Sequence, residues 1–275
     1  MLFGLATVLG VSRRGFFIPY RYADRLPGPG ERPPYPAIEA LFAEKRAAFQ
    51  LVLDWLDELA PELEALAGAP PAPRWDQDWF PRLDAAAAYA LVRRLRPSRI
   101  VEVGSGHSTR FLARAVADEG YDGRITAIDP APRADLEGLP IDLLRDALPA
   151  AGDAPFRGLA AGDFVMIDSS HILMPGSDVD FLFGRVLPAL PAGVVVQVHD
   201  VFLPDDYPAE WDWRGYNEQL GVLPALLGGL WDPLFASHYV ATRMAAEVEA
   251  CGAGRLPLRS GARESSLWMV KRAQP

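Results

Sequence analysis

The hydrophobic pattern of the chain changes character near residue 99. Upstream, apolar residues recur at helical spacing. From Ala37 to about Leu66, the positions Leu41, Phe42, Phe49, Val52, Leu53, Leu56 and Leu59 fall on one face, which predicts a helical stretch with that stripe buried. A second helix is expected from Arg82 to Leu95, stopped by Pro97. Two Pro/Gly-rich stretches, "RLPGPGERPPYP" (25–36) and "AGAPPAPRWDQDWFP" (67–81), interrupt regular structure ahead of these helices. From Arg99 onward, short runs rich in Val and Ile alternate with helical segments. "RIVEV", "RITAID", "IDLL", "DFVMID", "GVVVQVHD", "DPLFAS" and "SSLWMVK" read as strands, and Ser108–Glu119, Asp178–Leu190 and Gly215–Leu227 as helices. That alternation predicts an α/β fold, a doubly wound, mostly parallel, seven-stranded Rossmann-like sheet covered on both faces. Residues 1–97 are expected to form a helical prefix acting as a lid, and residues 98–275 the ligand-binding sheet domain.

Composition narrows the class of ligand. Half of the 275 residues are hydrophobic and the net charge is −9, so the basic footprint needed for nucleic acid or an anionic membrane is missing. The single cysteine, Cys251, leaves no internal disulfide and no cysteine-rich zinc site; it is expected to pack in the core. The opening "MLFGLATVLGVSRRGFF" is apolar for about ten residues, where a membrane span needs about 20. Its arginines follow the apolar run, whereas a signal peptide places them first. A cytoplasmic protein is expected, with a small-molecule acceptor as partner and a homodimer contact through the apolar N-terminus.

Ligands of doubly wound sheets bind at the carboxyl ends of the strands, and the polar residues gather there: Gly104 to Ser108, Asp129, Asp146, Asp168 to His171, and His199–Asp200. Within "RIVEVGSGHSTRFLARA" (99–115), Gly104 and Gly106 allow a sharp turn and bare peptide N–H groups where a helix begins. The dinucleotide fingerprint G-x-G-x-x-G fails, because Thr109 holds its third position. Glu102 would repel a pyrophosphate and suits a cation. S-adenosylmethionine carries two cationic groups, a sulfonium and an ammonium. Asp129, ending the second strand, is placed to accept hydrogen bonds from ribose hydroxyls.

These residues resemble the first motif, E/D-x-G-x-G-x, of the class I S-adenosylmethionine-dependent methyltransferases. "EVGSGHST" fits it, "ITAIDP" resembles the ribose-binding strand, and "LLRDAL" the segment flanking adenine; the resemblance runs from about Arg99 to Lys271. It implies a cofactor site formed by Glu102, Gly104, Ser105, Gly106, His107, Ser108, Asp129, Asp146 and Asp168. Asp146 would lie near the adenine amino group, Ser108 near the cofactor's carboxylate, and His107 over the cofactor.

At the ends of the fourth and fifth strands two chemistries fit. In one, His171 or His199, with Asp168, takes the proton of an acceptor hydroxyl or amine as it attacks the methyl carbon. In the other, Asp168 and Asp200 hold Mg²⁺. The second resembles catechol O-methyltransferase and its metal-dependent relatives, although the asparagine those enzymes place next is Val201 here, leaving His171 or His199 to replace it. Asp168 and Asp200 also fit ordinary capping and turn positions. The long connection after Asp200 offers Tyr207, Trp211, Trp213 and Tyr216 as an aromatic acceptor pocket and Arg214 for an anionic group; these rings equally suit a satellite core. Trp79 and Phe80 are candidate lid residues, and His238 reads as surface or packing. Two other functions share this fold: an iron(II) hydroxylase using His171, His199 and a carboxylate, and a non-catalytic cofactor-binding subunit.

Overall fold

The computed structural model describes residues 2–273. Seven strands form one sheet: β1 (Arg99–Val103), β2 (Arg124–Ile128), β3 (Ile141–Leu144), β4 (Phe164–Ile167), β5 (Val195–Val198), β6 (Trp231–Ala236) and β7 (Leu267–Lys271). Their order is β3-β2-β1-β4-β5-β7-β6. Every pairing from β3 to β5 is parallel, and β7 enters antiparallel to both β5 and β6. The expected doubly wound, mostly parallel α/β architecture is present. β4 and β5 are buried at every position because helices cover both faces, so they read as continuous apolar runs. β3, at the sheet edge, alternates between half-buried and exposed.

The helices depart from expectation where proline intervenes. The stretch 37–66 is three helices, Pro36–Glu44, Arg46–Glu58 and Ala60–Glu64. Pro61 sits in the first turn of the third, where its missing N–H costs nothing, and it cannot extend the second. Six of the seven predicted stripe residues are buried; Leu41 only partly so. The expected helix 178–190 is interrupted at Leu182–Val186, where the hydrogen bonding widens to a π-turn just before Pro188. The predicted helix at 215 starts at Gln219, preceded by a 3₁₀ segment, Ala209–Arg214. Two short helices, Ser237–Arg243 and Ala245–Ala250, were not anticipated.

One core runs through the prefix and the sheet. Phe49 meets Phe42, Phe235 and Tyr239 edge-on, at centroid distances of 5.8, 6.2 and 5.8 Å. This ties the helix Arg46–Glu58 to β6 and to the helix that follows it. The helix Arg82–Leu95 is buried from Leu83 to Val92. Its start is pinned by Glu264, which accepts two hydrogen bonds from the Arg82 guanidinium (2.8 and 3.0 Å) and one from the Leu83 N–H (2.8 Å). Cys251 is buried and donates to the Leu53 carbonyl. By contrast, the N-terminal segment leaves Leu9, Val11, Phe17 and Ile18 exposed. Among the described residues no helix is long and apolar enough to cross a membrane.

Because Phe49 bridges prefix and sheet, Phe49→Ala should cost about 3–5 kcal/mol. Urea denaturation should show one cooperative transition shifted as a whole. An unshifted transition for the sheet, with only a minor early phase, would mean that the prefix folds separately.

Candidate active site

Parallel register sets the site. Val103 pairs with Ile128 on one side and with Ile167 on the other, and Ile167 pairs with Val198. The next residue along each strand is therefore Asp129, Gly104, Asp168 and His199, four neighbours in one row at the carboxyl edge of β2, β1, β4 and β5. Backbone hydrogen bonds extend the ladder into the row: Gly104 N–H to Ile128, Asp168 N–H to Val103 and His199 N–H to Ile167. A cavity of about 710 Å³ opens above it, with all four residues on its wall.

Gly104 is what lets the row close. Its φ is +79°, and a Cβ there would sit 1.8 Å from the Asp168 carbonyl oxygen. Only glycine tolerates that approach. Ser105 donates from its N–H (2.7 Å) and its hydroxyl (3.1 Å) to one Asp129 oxygen, and the Ala131 N–H donates to the other (2.7 Å). Asp129 thus shapes the turn while lining the cavity. Ser105, Pro130, Ala147, Leu148 and Pro149 complete this end of the wall.

Glu102 corrects one expectation. It does not face the cavity but is fully buried beneath the loop, accepting hydrogen bonds from the Ser108 (2.5 Å) and Thr109 (2.6 Å) hydroxyls. The cause is local: the next helix starts at His107, so Ser108 and Thr109 lie in its first turn, where their hydroxyls are drawn to the nearest carboxylate. Burial pushes the Glu102 carboxyl up to about 8, against the lowering effect of those two donors. Gly106, His107 and Ser108 likewise stay out of the cavity lining. Burial lowers His107 to about 4, helped by the nearby Arg110 and Arg74. Asp146 is exposed beyond the edge strand, and its neighbours Ala147 and Leu148 line the cavity in its place.

At the other end, six titratable groups converge. His171 Nε2 lies 3.3 Å from Asp168 and 3.4 Å from Asp200; His199 Nδ1 lies 3.4 Å from Asp168 and 3.5 Å from Asp200. Behind each ring stands a buried carboxylate. Glu218 is 2.9 Å from His171 Nδ1, and Asp84 is 3.3 Å from His199 Nε2. Asp84 is held in turn by the Ser265 and Ser266 N–H groups, and Asp200 by the Ser265 hydroxyl. Burial alone would lower both imidazole pKa values. The carboxylates outweigh it and hold His171 and His199 well above the ordinary histidine range. Burial would raise Asp168, but the two imidazoles hold it far below the usual carboxylate range. His171 and Asp200 both take left-handed backbone, φ 59° and 55°, and concentrate conformational strain at this point.

The aromatic connection divides. Trp211, Arg214 and Tyr216 line the cavity, with the Arg214 guanidinium stacked 3.8 Å from the Trp211 ring and Tyr216 packed 4.5 Å from the His171 ring. Two of the expected substrate residues do not. Trp213 is 81% exposed, turned outward by the 3₁₀ segment, and Tyr207 is packed against Phe202 and Tyr216 in a satellite core. Trp79 stands at the cavity mouth with the Arg133 guanidinium 4.7 Å from its ring, whereas Phe80 is buried under His199. His238 pairs with Asp205 at 2.7 Å, a packing role. Sequence reasoning missed Asp84 and Glu218. The signal for Asp84 was an acid inside the apolar run "LDAAAAYALV", a position that buries it.

Gly104→Ala should abolish the folded row, since neither φ nor space permits a methyl there. Gly106→Ala, whose nearest contact is 3.9 Å away, should keep stability within about 1 kcal/mol; thermal melts of the pair decide. Glu102 makes a pH prediction. Its folded-state pKa is raised, so its contribution to stability is full below the ordinary carboxylate range and is lost as pH rises through about 8. The wild-type melting temperature should therefore fall relative to Glu102→Gln between about pH 5 and pH 9. A constant difference would mean that Glu102 titrates normally.

No curated protein sequence matches the chain. Solved structures with similar folds include the O-methyltransferase TomG of Streptomyces achromogenes in complex with SAM. It is 20% identical, with 81% of this chain and 90% of that one covered, at a TM-score of 0.38. The Podospora anserina methyltransferase PaMTH1, bound to SAH, is 14% identical over 94% of this chain and 100% of its own, at 0.42. A Bacillus cereus O-methyltransferase in complex with SAH is 15% identical over 86% of this chain and 100% of its own, at 0.42. A family model described as a methyltransferase domain matches residues 101–201, from β1 to the residue after Asp200. The segment that builds the strand-end row, from Gly104 to Asp200, lies within the stretch that this methyltransferase-domain model matches.

Proposed function

We propose that the protein is an enzyme transferring the methyl group of S-adenosylmethionine to an oxygen or nitrogen of a small-molecule acceptor. One observation carries this reading. A single cavity joins a glycine turn and ribose-type acid, Gly104–Ser105 and Asp129, to a proton-handling cluster two strands away, within a segment that matches the methyltransferase-domain family. Asp129 accepts three hydrogen bonds, two from Ser105 and one from Ala131, which leaves one lone-pair site on Oδ1 for a ribose hydroxyl. The apolar Ala147–Pro149 wall suits a flat base. Trp79, presented by the prefix, covers the mouth.

The acceptor then lies under Trp211, Arg214 and Tyr216. Its nucleophile faces Asp168, about a third of whose side chain is open to the cleft. In the transfer the acceptor forms a bond to the methyl carbon as the carbon–sulfur bond breaks, and the acceptor proton passes to the Asp168 carboxylate, the part of the cluster open to the cleft, since His171 and His199 already hold theirs. Positioning supplies most of the rate, because the reacting atoms must stand in line. Asp168 and Asp200, expected to hold Mg²⁺, have two imidazole nitrogens between them, where a hard ion takes oxygen ligands. A homodimer joined through the exposed apolar N-terminal segment is part of the same proposal.

Calorimetry with S-adenosylmethionine tests the reading. Binding below about 1 mM is expected, weakened about 10–100-fold by Asp129→Ala through the loss of charge-assisted hydrogen bonds. No heat, or an Asp129→Ala protein indistinguishable from wild type, would overturn it. The two histidines and a carboxylate also supply the donor set of an iron(II) hydroxylase. Oxygen uptake without methylated product would favour that reading, and cofactor binding with no product from any acceptor would favour a non-catalytic subunit.

A further inference from the structure

We infer that Arg214 is the anchor for a carboxylate on the acceptor, and that the acceptor is an aromatic hydroxy acid. The acceptor's role rests on the methyl-transfer reading of this cleft, but capture of the carboxylate does not need the cofactor.

Three arginines line the cavity: Arg133, Arg214 and Arg263. Arg263 is paired with Glu210. Arg133 follows Asp129 closely in the chain and stands over the Trp79 ring at the mouth. Arg214 has neither kind of engagement with an acid: among the described residues no carboxylate lies within ion-pair distance of it, and its guanidinium donates no hydrogen bond. Its Nε is shut off from solvent and has no partner. Acids outnumber Lys and Arg 36 to 27 in this chain, so an arginine left without one on a cavity wall is not explained by scarcity. An unpaired cation held there attracts an anionic ligand.

The local sequence builds the anchor. The 3₁₀ segment Ala209–Arg214 repeats every three residues, so Trp211 and Arg214 fall on one face and stack, the guanidinium carbon 3.8 Å from the ring centroid. Gly215, at φ +65°, turns the chain and brings the Tyr216 ring to 5.4 Å from the same guanidinium. Trp211 leans edge-on against the fully buried Phe202, with centroids 5.1 Å apart, and Glu210 ties the segment to Arg263. Stacking fixes the plane of the guanidinium and leaves its edge donors free, the geometry that takes a carboxylate in two parallel hydrogen bonds. Tyr216 also packs 4.5 Å from the His171 ring, and His171 is 3.3 Å from Asp168. The anchor and the proposed proton acceptor are thus about one aromatic ring apart. A flat acceptor along the Trp211–Tyr216 wall places its carboxylate on Arg214 and its hydroxyl at Asp168, and keeps its own negative charge away from the Asp168 and Asp200 carboxylates.

Calorimetry with 4-hydroxybenzoate and 4-hydroxyphenylacetate, each against its uncharged amide, tests the anchor in protein with and without S-adenosylhomocysteine. At least one acid should bind about 10–100-fold more tightly than its amide. Arg214→Gln should abolish that preference, while the amide and S-adenosylmethionine bind within about 3-fold of wild type. Arg214→Lys, which keeps the charge but loses the planar fork, should recover only part of the preference. Acids and amides binding alike to the wild type would overturn the proposal. So would equal weakening of acid and amide in Arg214→Gln, which is what a mere packing role in the Trp211 stack would give. Should Arg214→Gln fail to fold by circular dichroism, the wild-type acid-to-amide ratio and Arg214→Lys decide. S-adenosylmethionine binding without a preference for acids sinks only the anchor; an Arg214-dependent preference for acids without cofactor binding sinks only the methyl-transfer reading.

Discussion

The common register of β2, β1, β4 and β5 governs the rest of the molecule. Parallel pairing fixes which residue follows each strand end, and a slip of one residue would turn every side chain of a strand to the opposite face. Strands lie about 4.8 Å apart, so the row from Asp129 through Gly104 and Asp168 to His199 spans about 14 Å. That length separates the end of the cleft proposed to hold the cofactor's sugar from the end where the histidines and carboxylates converge. It holds only because nothing larger than hydrogen occupies position 104 beside the Asp168 carbonyl. The same contact that closes the sheet edge therefore sets the distance between the two halves of the site.

The histidine–carboxylate end is assembled from five distant places in the chain. Asp168 and His171 follow β4, and His199 and Asp200 follow β5. Glu218 lies just ahead of the helix Gln219–Leu227, Asp84 comes from the prefix helix Arg82–Leu95, and Ser265–Ser266 lead into β7. Burying so many ionisable groups is costly unless each finds partners. The two imidazoles and the Ser265 and Ser266 N–H groups supply nearly all of them. Glu218 Oε1 and His199 Nδ1 are left over. The antiparallel entry of β7 matters for this reason: it brings two backbone donors up to Asp84 that a parallel strand end would point elsewhere.

The prefix is more than a cover. Asp84 sits behind His199, Phe80 packs under the same ring, and Trp79 reaches the cavity mouth, all within six residues of one another. Glu264 locks this segment to the approach of β7 through Arg82 and the Leu83 N–H. A displacement of the prefix would therefore be felt at the histidine–carboxylate cluster before it reached the glycine turn.

The sequence alone determined the strands, their alternation with helices and the residues at their ends, because those follow from local periodicity and from the short reach of glycine turns. Gly104, Asp129, Asp168, His171, His199 and Asp200 were all legible as strand-end chemistry. Whether a side chain faces the cleft was not legible. Glu102 turned under the loop because the Ser108 and Thr109 hydroxyls, in the first turn of the next helix, reach its carboxylate. Trp213 parted from Trp211 because a 3₁₀ segment has a threefold repeat that no hydropathy pattern announced, and Tyr207, ahead of that segment, packs on Phe202. Asp84 and Glu218 became partners of the histidines only through contacts between residues 115 and 47 positions apart. Such pairings are decided by how helices pack on the sheet, a long-range property that local pattern does not encode.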